Sequence, residues 1–160
     1  MPVAPDGAAV CSNVFEIEAS IESAIDVLAP TAVRAHPENF ELTTRLKVTI
    51  YMPTGAPQKL RAHEEGHRAI GEHYYRNAEA AAREAATALV GRSFEGSGAD
   101  RAAAERAAGE LVLAALKDGF MQGTHARSAA ANTRYDTITD HGRSAIAEPD
   151  AVAKALADDP

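Results

Sequence analysis

Two neighbouring stretches decide the fold. The first is Leu42-Thr43-Thr44-Arg45-Leu46-Lys47-Val48-Thr49-Ile50-Tyr51-Met52, and the second is His63-Glu64-Glu65-Gly66-His67. In the first, Leu42, Thr44, Leu46, Val48, Ile50 and Met52 share one face, while Thr43, Arg45, Lys47, Thr49 and Tyr51 share the other. This alternation predicts a half-buried strand. Pro53-Thr54-Gly55 ends it. Pro57 then sits where a first helical turn tolerates proline. A helix is predicted from about residue 57 to Val90, with Gly66 and Gly71 as its weak points.

Working outward, residues 1–12 read as a loose, Pro- and Ala-rich lead-in to a single domain over 13–160. From Asn13, Phe15, Ile17, Ala19 and Ile21 alternate with Glu16, Glu18 and Ser20, which predicts an earlier strand. Residues 22–29 suggest one or two helical turns, and His36-Pro37-Glu38-Asn39 a turn. On the other side, Gly91–Gly98 reads as a hinge or exposed loop. Ser97 and Asp100 resemble a capping pair for a second helix over about 99–118, with Leu111, Val112 and Leu116 in its stripe. The two helices are expected to pack as a close antiparallel pair. Residues 119–148 lack periodicity and read as a long loop, and Pro149 starts a short last helix through Leu156.

Composition narrows the function. Of 160 residues 36 are alanine, so the 46% hydrophobic content describes a core thin in large side chains. Long helices suit such a chain, because Ala is the best helix former. No apolar run approaches the roughly 20 residues that cross a bilayer. A net charge of -7 argues against a general nucleic-acid binder. One cysteine, Cys11, excludes an intrachain disulfide framework and reads as an incidental thiol. Met1–Gly7 has neither a basic nor an apolar segment, so the chain as written carries no secretory signal.

His63-Glu64-Glu65-Gly66-His67 matches H-E-x-x-H. On a helix His63 and His67 lie about 40° apart on one face and can grip one metal ion. Glu64 lies beside that face, placed to take a proton from a metal-activated water. Catalytic zinc wants a third protein ligand and one open position. His73 stands ten residues after His63, but on a continuous helix it lies about 15 Å along the axis. Glu72 falls on the opposite side and reads as a solvated charge. His141, in Tyr135-Asp136-Thr137-Ile138-Thr139-Asp140-His141-Gly142, is the third candidate. His36 and His125 read as surface histidines in turns. The Thr and basic face of the strand over 42–52 is either solvated or an edge for an extended peptide.

H-E-E-G-H followed by Y-D-T-I-T-D-H-G resembles a bacterial family of predicted secreted zinc-dependent proteases, defined largely by H-E-x-x-H and a later Y-D-x-x-T-x-H-G. The resemblance covers roughly residues 13–146. It implies an α+β, zincin-like metallopeptidase domain. In it, N-terminal antiparallel strands lead to a long active-site helix, a second antiparallel helix and a C-terminal ligand-bearing loop. It implies Zn²⁺ held by His63, His67 and His141, with Glu64 as general base. Tyr135 becomes either an oxyanion donor or an aromatic packed over the helices, and Asp136 either orients a ligand histidine or caps a turn. The implied partner is a peptide or protein substrate, and the implied location secreted or periplasmic. Two other readings stand beside it: a zincin-like binding module without turnover, and a hydrolase of a non-protein amide such as a peptidoglycan cross-link.

Overall fold

The computed structural model describes residues 9–157. Its class is α+β, with a three-stranded antiparallel sheet of order β1-β2-β3. β1 (Val10–Ala29) and β2 (Ala32–Tyr51) are each 20 residues long and meet at Pro30-Thr31. β3 (Phe94–Ser97) adds a short third strand. The chain forms two compact units. Among the described residues, one contains 9–16, Arg45–Asn77 and 124–157; the other contains Ile17–Thr44 and Ala78–Gly123.

The alternation expected in both long strands is present. Phe15 and Ile17 are buried and Ala19 and Ile21 half-buried, against exposed Glu16, Glu18 and Ser20. In β2, Leu42, Thr44, Leu46 and Val48 are half-buried while Thr43, Arg45 and Lys47 are exposed. Both strands run further than expected. Residues 22–29 are strand and not helical turns, because Ser23 and Ile25 continue the half-buried face of Ile21. A four-residue spacing between two isoleucines fits either period. Packing decides it, since Ile25 lies against the buried cluster of Val33, Ala35, Ala104 and Ala108. The turn expected at His36-Pro37-Glu38-Asn39 is also strand. β3 pairs with Ala32–Ala35 only, so Pro37, which has no N–H to give, lies beyond the end of that ladder. Val10–Ser12, assigned to the loose lead-in, begin β1; Ala9 precedes the strand, and residues 1–8 lie outside the described residues.

The helix expected to reach Val90 is two helices, α1 (Gln58–Tyr75) and α2 (Ala78–Thr87). At the junction the Asn77 N–H donates to the Tyr74 carbonyl at 3.2 Å, a tighter turn that breaks the α-helical ladder. The loop expected over 91–98 contains β3. α3 (Arg101–Met121) begins where expected, and Asp100 caps it by accepting from the Ala103 N–H at 2.8 Å. Ser97 takes no part in the cap and ends β3.

The partner of the motif helix also differs from expectation. In one unit α2 packs antiparallel on α3, with Ala85 against Gly119 and Ala81 against Gly123. In the other unit α1 packs on α4 (Arg127–Thr139) and α5 (Glu148–Ala157). The segment 119–148, expected to be a loop, is therefore largely helical. After α3 comes a π-helical turn, Gln122–Ala126, and then α4. Its buried positions, Ser128, Ala131, Tyr135 and Thr139, hold small and polar residues that leave no apolar stripe to read. Among the described residues no helix is long and apolar enough to cross a membrane.

β3 touches α3 without room for a side chain. A Cβ on Gly96 would overlap the backbone of Ala104 and Ala108, whereas one on Gly109 meets nothing within 4 Å. Gly96→Ala is expected to cost about 1–3 kcal/mol by overpacking. Gly109→Ala is expected to stabilise by about 0.5–1 kcal/mol through helix propensity. Urea melts of the two variants measure both; equal effects would discount the contact between β3 and α3.

Candidate metal centre

α1 places His63, Gly66, Ile70 and Tyr74 on its buried face, and His67 and Glu64 flank that stripe. The His63 and His67 Nε2 atoms come within 3.2 Å of each other. α4 completes the group. Asp136 Oδ1 lies 3.3 Å from His63 Nε2 and 3.1 Å from His67 Nε2. Three donor atoms thus converge, all within 4.8 Å of one another, and the group can hold a metal ion.

The third donor in this arrangement is Asp136, which the sequence suggested only as an orienter or a cap. His141 lies beside it, with Nδ1 3.8 Å from Asp136 Oδ1 and a side chain 71% exposed. It lines the same cavity but stands outside the converging set. His73 is ten residues along the uninterrupted α1, where its Nδ1 meets the Arg76 guanidinium at 2.8 Å. Glu72 pairs with Arg68 at 2.8 Å on the exposed side.

Tyr135 is fully buried and holds both histidines. Its ring stacks on His63 at 5.0 Å and meets His67 edge-on at 4.9 Å. Its hydroxyl bonds the Glu148 carboxylate and lies 3.1 Å from the His63 carbonyl oxygen. Tyr135 is not among the residues lining the cavity. Of the two readings offered by the sequence, this placement matches the packed aromatic, and the hydroxyl is engaged with Glu148. The close approach requires Gly66, since a Cβ there would overlap the Tyr135 hydroxyl and ring. The glycine that looked like a weakness in the helix is the space Tyr135 fills.

The chain after α4 is held by an unusual turn. Asp140, His141 and Gly142 have φ of 48°, 52° and 78°. Left-handed backbone costs a non-glycine residue roughly 1–2 kcal/mol. The His141 N–H donates to the Asp136 carbonyl at 2.9 Å, and Ser144 N–H to Thr139 at 2.8 Å. Lys59 Nζ of α1 donates to the carbonyls of Arg143 and Ser144 at 2.9 and 2.6 Å. Gly142 packs on the His63 ring, where an added Cβ would stand 3.1 Å from Cγ.

A cavity of about 670 Å³ opens over the donors. α1 lines it with Leu60, His63, Glu64 and His67, and α4 with Ser128, Asn132 and Asp136. A third wall is residues 9–13, the start of β1, so the sheet strand beside the donors is β1 and not the nominated 42–52. His125, expected on the surface in a turn, is exposed on the π-helical turn and also lines the cavity.

Electrostatics separate the groups. Glu64 is only 5% exposed, and burial raises its carboxyl above the ordinary range, opposed by His67 and by a hydrogen bond from the Cys11 backbone. Burial, helped by the neighbouring His67, lowers His63 and favours its neutral imidazole. The Cys11 thiol is pushed up to about 12 by burial and by Glu64 and Glu65, so it stays protonated at neutral pH. Asn13 Nδ2 donates to the His67 carbonyl at 2.9 Å and fills the space over Gly71. Asn132, Asn13 and the Cys11 N–H were missed as site elements, and Asp136 was read as an orienter or a cap and not as a donor. The i, i+4 spacing of Asn132 and Asp136 was the available signal, but it required a helix there.

No family model, no curated protein and no solved structure matches the chain.

The raised Glu64 carboxyl fixes the sign of a pH effect in metal-free protein. The unfolded chain ionises first, so ionised Glu64 penalises the fold at neutral pH. Below the ordinary Glu value of about 4.3 the penalty vanishes, and it grows as pH rises through the folded value. Glu64→Gln is therefore expected to melt higher than wild type at pH 7 in chelator, with the gap closing near pH 4. A gap constant with pH would assign it to something other than ionisation.

Proposed function

We propose that the protein is a small zincin-like, zinc-dependent metallopeptidase. The carrying observation is the convergence of His63 Nε2, His67 Nε2 and Asp136 Oδ1 at 3.1–3.3 Å separations beside a buried Glu64. Ligands about 2.0–2.1 Å from a tetrahedral zinc stand about 3.3–3.4 Å apart, so these donors suit that ion. Two imidazoles and one carboxylate are a donor set that catalytic zinc uses while keeping a position open. The resemblance carried by His63–His67 and Tyr135–Gly142 points the same way.

Bound zinc supplies Lewis acidity to a carbonyl oxygen and makes water a nucleophile near neutral pH. The chain's own residues do the rest. Glu64 faces the cavity with a carboxyl raised by burial, which suits a group that must take a proton and give it back. It accepts a proton from water as the water oxygen adds to the carbonyl carbon. It returns that proton to the amide nitrogen as the carbon–nitrogen bond breaks. The Cys11 N–H holds the carboxylate in place during both transfers. No lysine or arginine is found among the described residues lining the cavity, which favours a neutral carbonyl substrate over an anionic ester.

His141 supports a second reading. If its imidazole, now 3.8 Å from Asp136, takes the fourth position, the site is closed and the domain is a binding module without turnover. Under the metallopeptidase reading the protein takes up one zinc per chain. His63→Ala and Asp136→Ala then abolish uptake at micromolar zinc, while His141→Ala keeps it. Glu64→Gln keeps zinc and lowers hydrolysis of a broad peptide pool by about 10²–10⁴-fold. Zinc at 100 times its dissociation constant also stabilises the fold by about 2.7 kcal/mol, read as a higher melting temperature. Wild type that binds no zinc sinks the proposal. A tightly zinc-loaded protein that loses its metal on His141→Ala and hydrolyses nothing establishes the binding module.

A further inference from the structure

We infer that Asn132 is a positioning residue that fixes the tautomer of His67, delivering its Nε2 lone pair to the metal. The inference rests on the metal reading above, but its geometry is separate from the donor triad. His67 Nδ1 lies 2.7 Å from Asn132 Oδ1. An amide can in principle face a ring nitrogen with either end. Here the other end is committed. Asn132 Nδ2 donates to the Ser128 carbonyl at 2.9 Å and reaches the Ser128 hydroxyl at 3.3 Å. A backbone carbonyl only accepts, so the amide is oriented and Oδ1 must be the atom presented to His67. An oxygen acceptor demands a proton on Nδ1. A neutral imidazole carries one such proton, so Nε2, the atom facing His63 and Asp136, is left with its lone pair.

The spacing explains how one helix does two tasks. Ser128, Asn132 and Asp136 are four residues apart on α4, so they lie along one face. Asp136 supplies a donor atom directly. Asn132, one turn earlier, prepares a donor that belongs to α1. Ser128 sets the amide's direction mainly through its main-chain oxygen, so this anchor does not depend on its side chain. From the far side Asn13 holds the His67 carbonyl. His63 is treated differently. Its Nδ1 is buried with no hydrogen-bond partner, and its ring is held by contact with Tyr135 and Gly142. His67 is thus the histidine whose neutral ring has its tautomer selected by a hydrogen bond.

The amide also suits the charge of the site. A carboxylate at 132 would accept the same hydrogen bond but would add a third acid to a cavity already lined by Glu64 and Asp136. It would also lose the donor that Ser128 receives. A neutral acceptor orients the imidazole without that cost.

The test uses the whole chain. Long-range ¹H–¹⁵N NMR on metal-free wild type, at a pH where the His67 ring is neutral, should show it as the Nδ1–H tautomer. In Asn132→Leu that preference should be lost, and competition titration with zinc should show affinity at least tenfold weaker, in the range found when outer-shell partners of metal ligands are removed. Asn132→Asp, which keeps an acceptor, should retain the Nδ1–H tautomer; it also serves if Asn132→Leu fails to fold. Ser128→Ala should bind zinc within about threefold of wild type, since the carbonyl remains. Unchanged zinc affinity in a folded Asn132→Leu, or an Nε2–H tautomer in wild type, overturns the inference while leaving the metal site standing. Wild type that binds no zinc removes both.

Discussion

Tyr135 occupies the volume that a side chain at position 66 would fill, and the donor cluster is arranged round that contact. With glycine there, α4 comes close enough to α1 for the Tyr135 ring to touch both histidine rings at once. One large, rigid aromatic does what a thin, alanine-rich core cannot do with aliphatic side chains. It fixes two imidazoles, one stacked against it and one met edge-on. Its hydroxyl donates to Glu148 of α5, with the carbonyl oxygen of His63 3.1 Å away, so its proton is paired although it is buried. α1, α4 and α5 are thereby tied at one point.

The polar groups of the cluster sort into those that are held and those that are left free. The His67 ring, the Asn132 amide and the Glu64 carboxylate each have an identified partner on a different element. Asp136 and His63 face one another and His67, and their remaining partners are few. Hydrogen bonds of the chain itself thus hold part of the cluster. The left-handed turn at Asp140–Gly142 belongs to the same pattern. Its strained backbone persists because Lys59, Asp136 and Thr139 hold it from three sides.

How much of this was legible depends on the residue types involved. Large apolar residues at period two marked β1 and β2, and H-E-E-G-H marked its helix and two of the donors. The extension of β1 past Ile21 was ambiguous, because isoleucines four apart suit a strand and a helix equally. The end of α1 at Tyr75 was hidden, since Ala78–Ala86 is helical in its own right. α4 was the costliest miss. It buries Ser128, Ala131, Tyr135 and Thr139, residues that read as loop when taken one at a time. Without α4 as a helix, Asp136 and Asn132 had no shared face to read, and the sequence offered His141 of the following turn as the third ligand. The short motif was enough to find the place; the partner helix, written in small and polar residues, was not.

Cys11 gives the cavity a practical property. It is the sole cysteine of the sequence, it lies in the wall formed by the start of β1, and its main chain touches the carboxylate of Glu64. A thiol held protonated reacts slowly at neutral pH. Forced labelling would still put a single fluorophore or spin label inside this one cavity and nowhere else. The residue that seemed incidental is a ready-made attachment point for watching what enters.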